Sequence, residues 1–492
     1  MIEFLSWLSG MLWGLPLIVL MVATGLYFTI RSHFFQFRYF GYILKQTGGQ
    51  LFNKKKMNDT HEKGIITPFE AISTAIGGTV GFGNIAGVAT AVAAGGPGAV
   101  FWMWLTACLG MILKQVEVTL GCYYRRTNEK GDPYGGPTYY MERGLGEERG
   151  WGKLWLIPAI IFGAGIFSTF FVTSSNLTAA QVVSGAFHLS PIHIGDFVVE
   201  GEILVGLVLC VITYVITSGG TKHIGAVFSK LVPFMSVLYI LMGIAMIAVN
   251  AGRVPAALAS IFTSAFTGTA AVGGFAGVAV SQIVRVGVAR AVYSNEAGWG
   301  TSPMIHASAK TRHPVEQGLW GSFEVFFDTF VVCTITSLSV ILSGHWIDGT
   351  DGGTLALSSF ASGFGTAGSI LLSVIMVIFT VTTSGGWFTY YLAILEHLYK
   401  REGLVKKIVM KLFYAVRALP GLLWTIYLVK TNNQGFIWVV VDITSAIPTF
   451  INVAVILLLS KQYLKLLSDY KARYLGRGTV DPNMPLFYED KI

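Results

Sequence analysis

Residues 77–84 of this 492-residue chain read GGTVGFGN and lie in the middle of an otherwise apolar segment. Four of these eight residues are glycine, and each glycine costs roughly 1 kcal/mol of helix propensity relative to alanine. Backbone that is unwound inside a membrane is tolerated only where it lines a cavity or is buried in protein. The stretch therefore predicts a break in a membrane-spanning helix, where bare amides and carbonyls are available to hold a solute.

The composition is that of a polytopic helical membrane protein. Hydrophobic residues make up 53% of the chain and charged residues only 12%, against about 25% charged residues in an average soluble domain. The net charge of +8 is no nucleic-acid signal, because the basic residues are concentrated in loops on one side of the membrane. The cysteines are too far apart for a zinc site or a disulfide framework and are expected as buried small hydrophobes; they are Cys108, Cys122, Cys210 and Cys333.

Hydropathy predicts about eleven membrane spans, near 11–30, 67–94, 98–121, 155–187, 203–218, 226–250, 266–292, 318–343, 367–398, 412–430 and 436–460. Lysine and arginine are concentrated in alternate loops, at 31–66, 125–153, 310–312, 400–411 and 461–477. The intervening loops 188–202 and 344–366 contain none, and 251–265 contains only Arg253. Because basic loops stay in the cytoplasm, we expect a multi-pass plasma (inner) membrane protein with its N-terminus outside and its C-terminus cytoplasmic.

A second glycine cluster, AAVGGFAGVA at residues 270–279, lies about 196 residues after the first and five predicted spans later. An odd number of spans means that the two clusters cross the membrane in opposite directions. Paired discontinuous helices in two inverted halves are typical of secondary transporters. The expected organisation is an N-terminal helix with a basic loop, two inverted five-helix repeats and a basic cytoplasmic tail, at 1–66, 67–250, 266–460 and 461–492.

The first break offers two kinds of backbone group. The amides of Gly81, Phe82 and Gly83 begin a half-helix and can bind a carboxylate, helped by the helix dipole. Carbonyls of the preceding half-helix, near Gly77 and Val80, suit a small hard cation such as sodium. The alternative is that these glycines only permit close helix packing. Two clusters in symmetric positions favour the binding interpretation.

Hydroxyl and amide side chains in two other spans are candidates for the same site. Thr382 and Thr383, in the ninth span, either complete a cation shell or form hydrogen bonds within and between helices. Ser174 and Asn176 belong to a polar interruption of the fourth span, and they either face the cavity or join helices. The residues alone leave both pairs of alternatives open.

Ionisable residues inside apolar spans are functional candidates by default. Lys114 and Glu117 are three residues apart, so they share a helix face and are expected to pair. Glu324 and Asp328, four apart, also share a face; Asp328 is a candidate for a proton or a cation, although a polar partner on another helix is favoured. His306 is expected to be a packed histidine. The chain contains no HExxH, GxSxG or GxxxxGK[ST] motif, so neither hydrolysis nor ATP-driven pumping is predicted, and the protein is not expected to be an enzyme.

Two long blocks carry a family resemblance. Residues 77–104, which continue as GFGNIAGVATAVAAGGPGAVFWMW from Gly81, and residues 289–318, ARAVYSNEAGWGTSPMIHASAKTRHPVEQG, resemble the alanine-or-glycine:cation symporters, also called the sodium:alanine symporter family. The resemblance covers most of the chain. It implies sodium- or proton-coupled uptake of a small neutral amino acid by alternating access between two inverted repeats of the leucine-transporter fold.

The resemblance also implies roles for residues. The string VGxGN, from Val80 to Asn84, is shared with the wider fold superfamily, and by that match the sodium ligands are the carbonyls of Gly77 and Val80 with the hydroxyls of Thr382 and Thr383. The implied substrate-binding residues are Gly81, Phe82, Gly83, Asn84, Ser174, Asn176, Gly273, Gly274, Phe275 and Gly277. Phe82 stands where the family commonly has threonine, which alters the volume and polarity of the pocket.

The sequence and the resemblance together predict an all-α symporter with about eleven spans, which takes up a small neutral amino acid with co-transported sodium, or alternatively with protons. It needs no organic cofactor, and its partners are the substrate and the lipid bilayer. An uncoupled facilitator or channel with the same pore is the alternative. A sensor that binds an amino acid without moving it would need a signalling domain, and the tail after Ser460 is only about thirty residues long.

Overall fold

The computed structural model describes residues 2–50, 65–129, 131–171, 175–194, 197–267, 279–350, 352–431 and 434–488. Its first part contains α1 (Ile2–Leu12), α2 (Leu15–Arg31), α3 (Phe35–Arg38), α4 (Phe40–Gln46), α5 (Pro68–Thr79), α6 (Val88–Gly95), α7 (Gly98–Tyr123), α8 (Pro137–Tyr140), α9 (Leu156–Phe171), α10 (Ser175–Phe187), α11 (Gly201–Thr217) and α12 (Gly220–Val249). Its second part contains α13 (Val254–Thr267), α14 (Val280–Asn295), α15 (Ser302–His306), α16 (Pro314–Val325), α17 (Thr334–Ser343), α18 (Gly352–Leu398), α19 (Leu404–Val416), α20 (Leu419–Thr431), α21 (Gln434–Leu458) and α22 (Ser460–Leu475).

Shorter elements join these helices. Within the described ranges, three stretches are π-helical, Gly83–Gly87, Met141–Glu148 and Phe326–Cys333, and single 3₁₀ turns lie at Gly48–Gln50, Gly152–Trp155, Ala251–Arg253 and His345–Ile347. Two small antiparallel hairpins are formed by β1 (Arg126–Thr127) with β2 (Pro133–Tyr134), and by β3 (Ile192–Ile194) with β4 (Phe197–Val199). The hairpins lie outside the apolar helices, so the described residues form an all-α membrane fold.

The predicted spans are largely recovered. Among the described residues, seven helices are long and apolar enough to cross a membrane, or nine if each of two bent pairs is counted as one span. The bent pairs are Pro68–Thr79 with Gly83–Gly95 and Leu404–Val416 with Leu419–Thr431. The two remaining predicted spans correspond to the 17-residue helix α11 and to α13 with α14, which flank residues outside the described set. The total of eleven and the two inverted halves stay predictions.

Several loops of the prediction are partly helical, among them 400–411, where α19 begins at Leu404. The segment 251–265 was expected as a loop, but α13 occupies Val254–Thr267. Likewise, α18 begins at Gly352 inside the expected loop 344–366, and its backbone leaves the helical conformation at Gly365. Both helical stretches are too short to cross a membrane alone, so a hydropathy window assigns their residues to a neighbouring span or to a loop.

The broken helix sits at the centre of the packing. Its first half, α5, begins with a capping box in which the hydroxyl of Thr67 accepts from the Glu70 amide and the Glu70 carboxylate accepts from the Thr67 amide. This half packs on α12 and α18, while α7 packs on α14 and α16. Every residue from 71 to 92 is buried. The break is therefore enclosed by protein, as unwound backbone in a membrane requires.

The predicted cytoplasmic tail begins with a docked helix. In α22, the side chains of Tyr463, Leu466, Leu467 and Tyr470 are buried against the rest of the protein. The hydroxyls of Tyr42 and Tyr470 are 3.0 Å apart, and Lys471 donates to the Ser32 carbonyl at 3.0 Å. The tail therefore packs against the segment that follows α2.

Candidate substrate and cation site at a helix break

The predicted break is present in the structure. The first half-helix, α5, ends at Thr79, and Val80 adopts an extended conformation with φ −78° and ψ 95°. The chain resumes at Gly83 as a π-helical turn that leads into α6. The axes of the two halves differ by 47°. The glycine-rich stretch thus separates two half-helices inside the packed centre.

The break deprives two carbonyls of their usual donors. In an α-helix the carbonyl of residue i accepts from the amide of residue i+4. Here the amide of Gly81 donates instead to Asn84 Oδ1 at 2.9 Å, and the amide of Asn84 donates to the Gly81 carbonyl at 3.2 Å. The carbonyls of Gly77 and Val80, the two predicted sodium ligands, therefore both lose the amide that a continuous helix would supply.

Asn84 is held in place from another helix. Its Nδ2 donates to Asp328 Oδ1 at 2.6 Å, although the two residues are 244 positions apart in the chain. Asp328 also accepts from Ser294 Oγ and from Thr329 Oγ1, each at 2.9 Å. The polar partner that the sequence favours for Asp328 is thus Asn84. Because Asn84 occupies the Gly81 amide, the amides of Phe82 and Gly83 head the second half-helix, whose first turn lacks intrahelical acceptors.

The hydroxyls of α18 approach the break closely. A Cβ atom on Gly81 would lie 2.1 Å from Thr383 Oγ1, and one on Gly77 would lie 3.2 Å from Thr382 Cβ. The hydroxyl of Thr383 is buried and has no hydrogen-bond partner. Thr382 Oγ1 donates to the Phe379 carbonyl of its own helix at 3.0 Å. Because the hydroxyl is the donor in this bond, its oxygen lone pairs stay free to coordinate a cation. Only glycine at position 81 allows the Thr383 hydroxyl to stand against the break.

A cavity of about 100 Å³ lies beside the break. Of the predicted site residues, Gly81, Phe82, Gly83, Asn176 and Thr383 line it. Gly77, Val80, Asn84 and Thr382 are buried behind its wall. The remaining predicted residues, Ser174, Gly273, Gly274, Phe275 and Gly277, lie outside the described residues. The structure therefore brings together the predicted residues of α5, of the break, of α10 and of α18, and the second glycine cluster stays a prediction.

Several aromatic residues of the wall were missed by sequence reasoning. The ring of Phe82 meets Tyr293 edge-on with centroids 6.0 Å apart, Tyr293 lies 6.0 Å from Trp299, and Trp299 lies 5.1 Å from Trp387. Tyr293 and Trp299 belong to the block ARAVYSNEAGWG. That block carries the family resemblance, and its resemblance to the family was the signal that could have pointed to these two residues. Together these rings give the cavity an apolar side.

Two charged residues of the wall were also missed. Among the described wall residues, Glu296 is the only carboxylate and Arg417 the only cation. Glu296 is 2% exposed and accepts from the Thr301 hydroxyl. Arg417 lies between α19 and α20, and its Nε donates to Thr217 Oγ1 at 2.6 Å. A lone ionisable residue inside an apolar segment was the signal for Arg417.

The buried lysine pairs across helices rather than along its own. Lys114 Nζ lies 3.1 Å from Glu324 Oε1, and both side chains are fully buried. Glu117, the expected partner, instead accepts from Asn452 Nδ2 at 2.5 Å. The expected pairing within α7 is therefore wrong, because α16 packs against α7 and places a carboxylate nearer to the ammonium group.

Nothing in the described residues suggests a transition-metal centre, since they contain no group of three or more histidine, cysteine or acidic side chains able to hold a metal. The groups at the break are carbonyl and hydroxyl oxygens. Hard cations such as sodium prefer oxygen ligands of this kind. The donor set thus fits an alkali cation.

Comparison with known proteins identifies the family. A family model described as the sodium:alanine symporter family matches residues 1–481. The chain is 35% identical over 435 residues to the sodium/alanine symporter AgcS of Methanococcus maripaludis, covering 86% of this chain and 90% of that protein. It is 36% identical to the uncharacterized transporter YflA of Bacillus subtilis, with 96% and 93% of the two chains covered. It is 33% identical to the probable sodium/glutamine symporter GlnT of Bacillus subtilis, with 98% and 92% covered.

The fold has a counterpart among solved structures. The structure of MhsT in complex with L-phenylalanine matches with a TM-score of 0.57 at 14% sequence identity, covering 81% of this chain and 94% of that one. Identity this low shows the fold alone. The leucine-transporter fold that the resemblance implies is therefore confirmed.

Proposed function

This chain belongs to the sodium:alanine symporter family, and we propose that it couples the uptake of a small neutral amino acid to sodium. It is a multi-pass membrane transporter and not an enzyme. The observation that carries the proposal is the break at residues 80–82. The carbonyls of Gly77 and Val80 lack their helical donors there, and the unpartnered hydroxyl of Thr383 stands against Gly81, next to a cavity.

The proposed cation site uses four oxygen atoms. They are the carbonyls of Gly77 and Val80 and the hydroxyls of Thr382 and Thr383. An unpaired polar group in the interior costs about 1–3 kcal/mol, and a sodium ion at this point would compensate the unpaired hydroxyl of Thr383 and both carbonyls at once. The ion is cargo, and no organic cofactor is proposed.

The proposed amino-acid site lies on the other side of the same break. The amides of Phe82 and Gly83, at the positive end of a half-helix, receive the carboxylate. Glu296, the only carboxylate among the described wall residues, is the group proposed to receive the ammonium group. A neutral side chain then packs against the rings of Phe82 and Tyr293. Asn176 lines the cavity, whereas Gly81 and Asn84 shape the break by bonding to each other.

Coupling follows if the cation and the amino acid stabilise the same conformation. Sodium joins the carbonyl ends of α5 to α18, and the substrate contacts the amides two residues further on. Each ligand then favours the state that the other prefers, and the two affinities rise together. We propose that the repeats 67–250 and 266–460 move against each other around this site, in a plasma membrane with the C-terminus in the cytoplasm.

Uptake into proteoliposomes tests the function. With an inward sodium gradient, a labelled neutral amino acid is expected to accumulate above its external concentration, and competition among the common amino acids identifies the preferred substrate. Replacing sodium by potassium, without a proton gradient, should abolish accumulation. Equal uptake in both salts, never exceeding the external concentration, would identify an uncoupled facilitator instead.

A further inference from the structure

A buried ion pair joins two irregular segments that line the cavity. The first segment is the break after Thr79, and the second is residues 296–301, which connect α14 to α15. Thr79 and Glu296 line the cavity. Lys114 on α7 and Glu324 on α16 lie behind the cavity wall, and neither side chain is exposed. The pair is therefore placed to act on two walls of the cavity from outside it.

The carboxylate of Glu324 holds one residue at the edge of each segment. Its Oε1 accepts from Thr79 Oγ1 at 3.1 Å and from Ser302 Oγ at 2.9 Å. Thr79 is the last residue of α5, and Ser302 is the first residue of α15. One oxygen atom thus binds both the residue that precedes the break and the residue that follows the second segment.

The ammonium group of Lys114 holds the other end of the second segment. Lys114 Nζ donates to the Asn295 carbonyl at 2.6 Å and lies 3.1 Å from Glu324 Oε1. That carbonyl belongs to the peptide unit that joins Asn295 to Glu296, so the lysine fixes the backbone from which Glu296 projects. Glu296 has a left-handed backbone conformation, with φ 53° and ψ 20°, which a residue other than glycine keeps only where its surroundings impose it. The pair therefore holds both ends of the segment 296–301.

The stability of the fold does not by itself explain a buried ion pair at this position. Desolvation of the two charges offsets much of their attraction, and replacement of such a pair by apolar residues of similar volume is often neutral or stabilising. The Thr79 hydroxyl also has an acceptor in its own helix, the Ala75 carbonyl at 3.0 Å. What the pair supplies is geometry, because its atoms bond to two separate segments at once.

We propose that Lys114 and Glu324 are positioning residues that fix the distance between the break and Glu296. In the proposed function, the break holds the sodium ion and the carboxylate of the amino acid, and Glu296 receives its ammonium group. Sodium that orders the break also orders the second segment through Glu324, so the amino acid meets two groups already set at the right separation. The pair thereby carries coupling between the two ligands. The inference rests on the proposed function and names residues through which its coupling acts.

A ratio of two dissociation constants measures this coupling. It is the dissociation constant of the preferred amino acid for the purified protein in choline buffer, divided by the constant in saturating sodium. In the wild type the ratio should be about ten or more, within the usual range for coupled ligand sites. In the double variant Lys114→Met/Glu324→Leu, which removes both charges and keeps similar volumes, the ratio should fall below about three.

A matched ion pair serves as the control. Lys406 Nζ lies 2.8 Å from Glu396 Oε2, and the two side chains are only 5% and 11% exposed, but they join α18 to α19 away from the break. Lys406→Met/Glu396→Leu should keep the ratio of the wild type. An equal fall in both double variants would show that the loss of any buried ion pair lowers the ratio, and it would overturn the inference.

Two single substitutions sever the links one at a time and leave both charges in place. Thr79→Val removes the link to the break, Ser302→Ala removes the link to the second segment, and each should lower the ratio about threefold. Because both act through the same carboxylate, Ser302→Ala in the Thr79→Val background should lower it by less than a further factor of about two. Wild-type ratios in both single variants would overturn the inference, even where the double variant of the ion pair fails to fold.

The same measurement separates this inference from the proposed function. Equal affinity for the amino acid in choline and in sodium, in the wild-type protein, would overturn the proposed coupling itself. A wild type whose affinity depends on sodium, together with the same dependence in Lys114→Met/Glu324→Leu, would overturn only the inference.

Discussion

Two apolar helix pairs of this protein are bent to a similar degree but differ in the chemistry of the bend. The axes of Pro68–Thr79 and Gly83–Gly95 differ by 47°, and those of Leu404–Val416 and Leu419–Thr431 differ by 42°. At the first bend, the carbonyls of Gly77 and Val80 lose their helical donors and no side chain replaces them among the contacts described. At the second bend, the guanidinium of Arg417 takes over that role.

At the second bend, the Arg417 side chain donates hydrogen bonds to backbone carbonyls. It donates to the Tyr414 carbonyl in the last turn of α19 and, at 2.7 Å, to the Tyr214 carbonyl in the last turn of α11. A positive side chain at a helix C-terminus is also favoured by the helix dipole. A bend alone is therefore not evidence of a binding site. The first bend is a candidate because its two freed carbonyls, of Gly77 and Val80, have no partner among the contacts described.

The largest expected effect is at Gly81, where the break meets α18. In Gly81→Ala the new Cβ would lie 2.1 Å from Thr383 Oγ1, so the hydroxyl must leave the break. We expect sodium-driven uptake to fall at least 100-fold. Gly163→Ala is the matched control, because its Cβ would meet only Ile394 at an ordinary 3.9 Å. Uptake by Gly81→Ala equal to that of the control would contradict the proposed geometry.

A smaller effect is expected from the hydroxyl itself. Thr383→Ala removes the unpartnered oxygen and should raise the half-saturating sodium concentration about tenfold, equivalent to about 1.4 kcal/mol. Thr425→Ala, in the second bent pair, removes a hydroxyl that already bonds to the Gly421 carbonyl, and should leave the sodium dependence unchanged. Titration of uptake against sodium measures both. An unchanged dependence in Thr383→Ala would remove this residue from the cation shell.

At the second bend, the loss should appear in stability rather than in coupling. Arg417→Gln leaves carbonyls of two helix ends without their donor, which should lower the stability of the purified protein by about 1–3 kcal/mol, measured as a lower melting temperature. The half-saturating sodium concentration should change less than twofold. A large shift in sodium dependence with normal stability would show that both bends take part in ion binding.

The smallest effect concerns selectivity. Phe82→Thr introduces the residue that the family resemblance implies at this position and removes an aromatic wall of the cavity, while the amide that is proposed to bind the carboxylate stays. We expect the preference for alanine over larger neutral amino acids to change about threefold or more, measured by competition for uptake. If all competitors keep their rank and affinity, the Phe82 ring does not contact the substrate.

The break was predictable because its cause is local. Glycine weakens a helix wherever it lies, so the stretch GGTVGFGN predicts a break in the helix without any knowledge of the fold. The hydroxyls of Thr382 and Thr383 were candidates from the residues alone, but their assignment as sodium ligands came only from the family resemblance, since nothing local places α18 beside α5. In the structure, Gly77 lies against Thr382 and Gly81 lies against Thr383.

The rest of the site depends on contacts between distant segments. The role of Asn84 requires Asp328, and Lys114 pairs with Glu324 rather than with Glu117, because helix packing decides which polar groups are near. Glu296 lies in a recognisable block, but its position in the cavity wall is a tertiary property. Arg417 lies between two apolar helices and belongs to no sequence motif that would have predicted its place in the cavity wall. The sequence thus located the glycine-rich break, but it did not predict the bend between α19 and α20 or the partners of the buried polar groups.

Amino-acid binding to the purified protein as a function of sodium tests the central claim most directly. If sodium and substrate share the break, the dissociation constant of the preferred amino acid should fall at least tenfold between sodium-free choline buffer and saturating sodium, and this dependence should be lost in Gly81→Ala while Gly163→Ala keeps it. The same affinity in choline and in sodium, for the wild-type protein, would contradict the claim that one helix break holds both ligands.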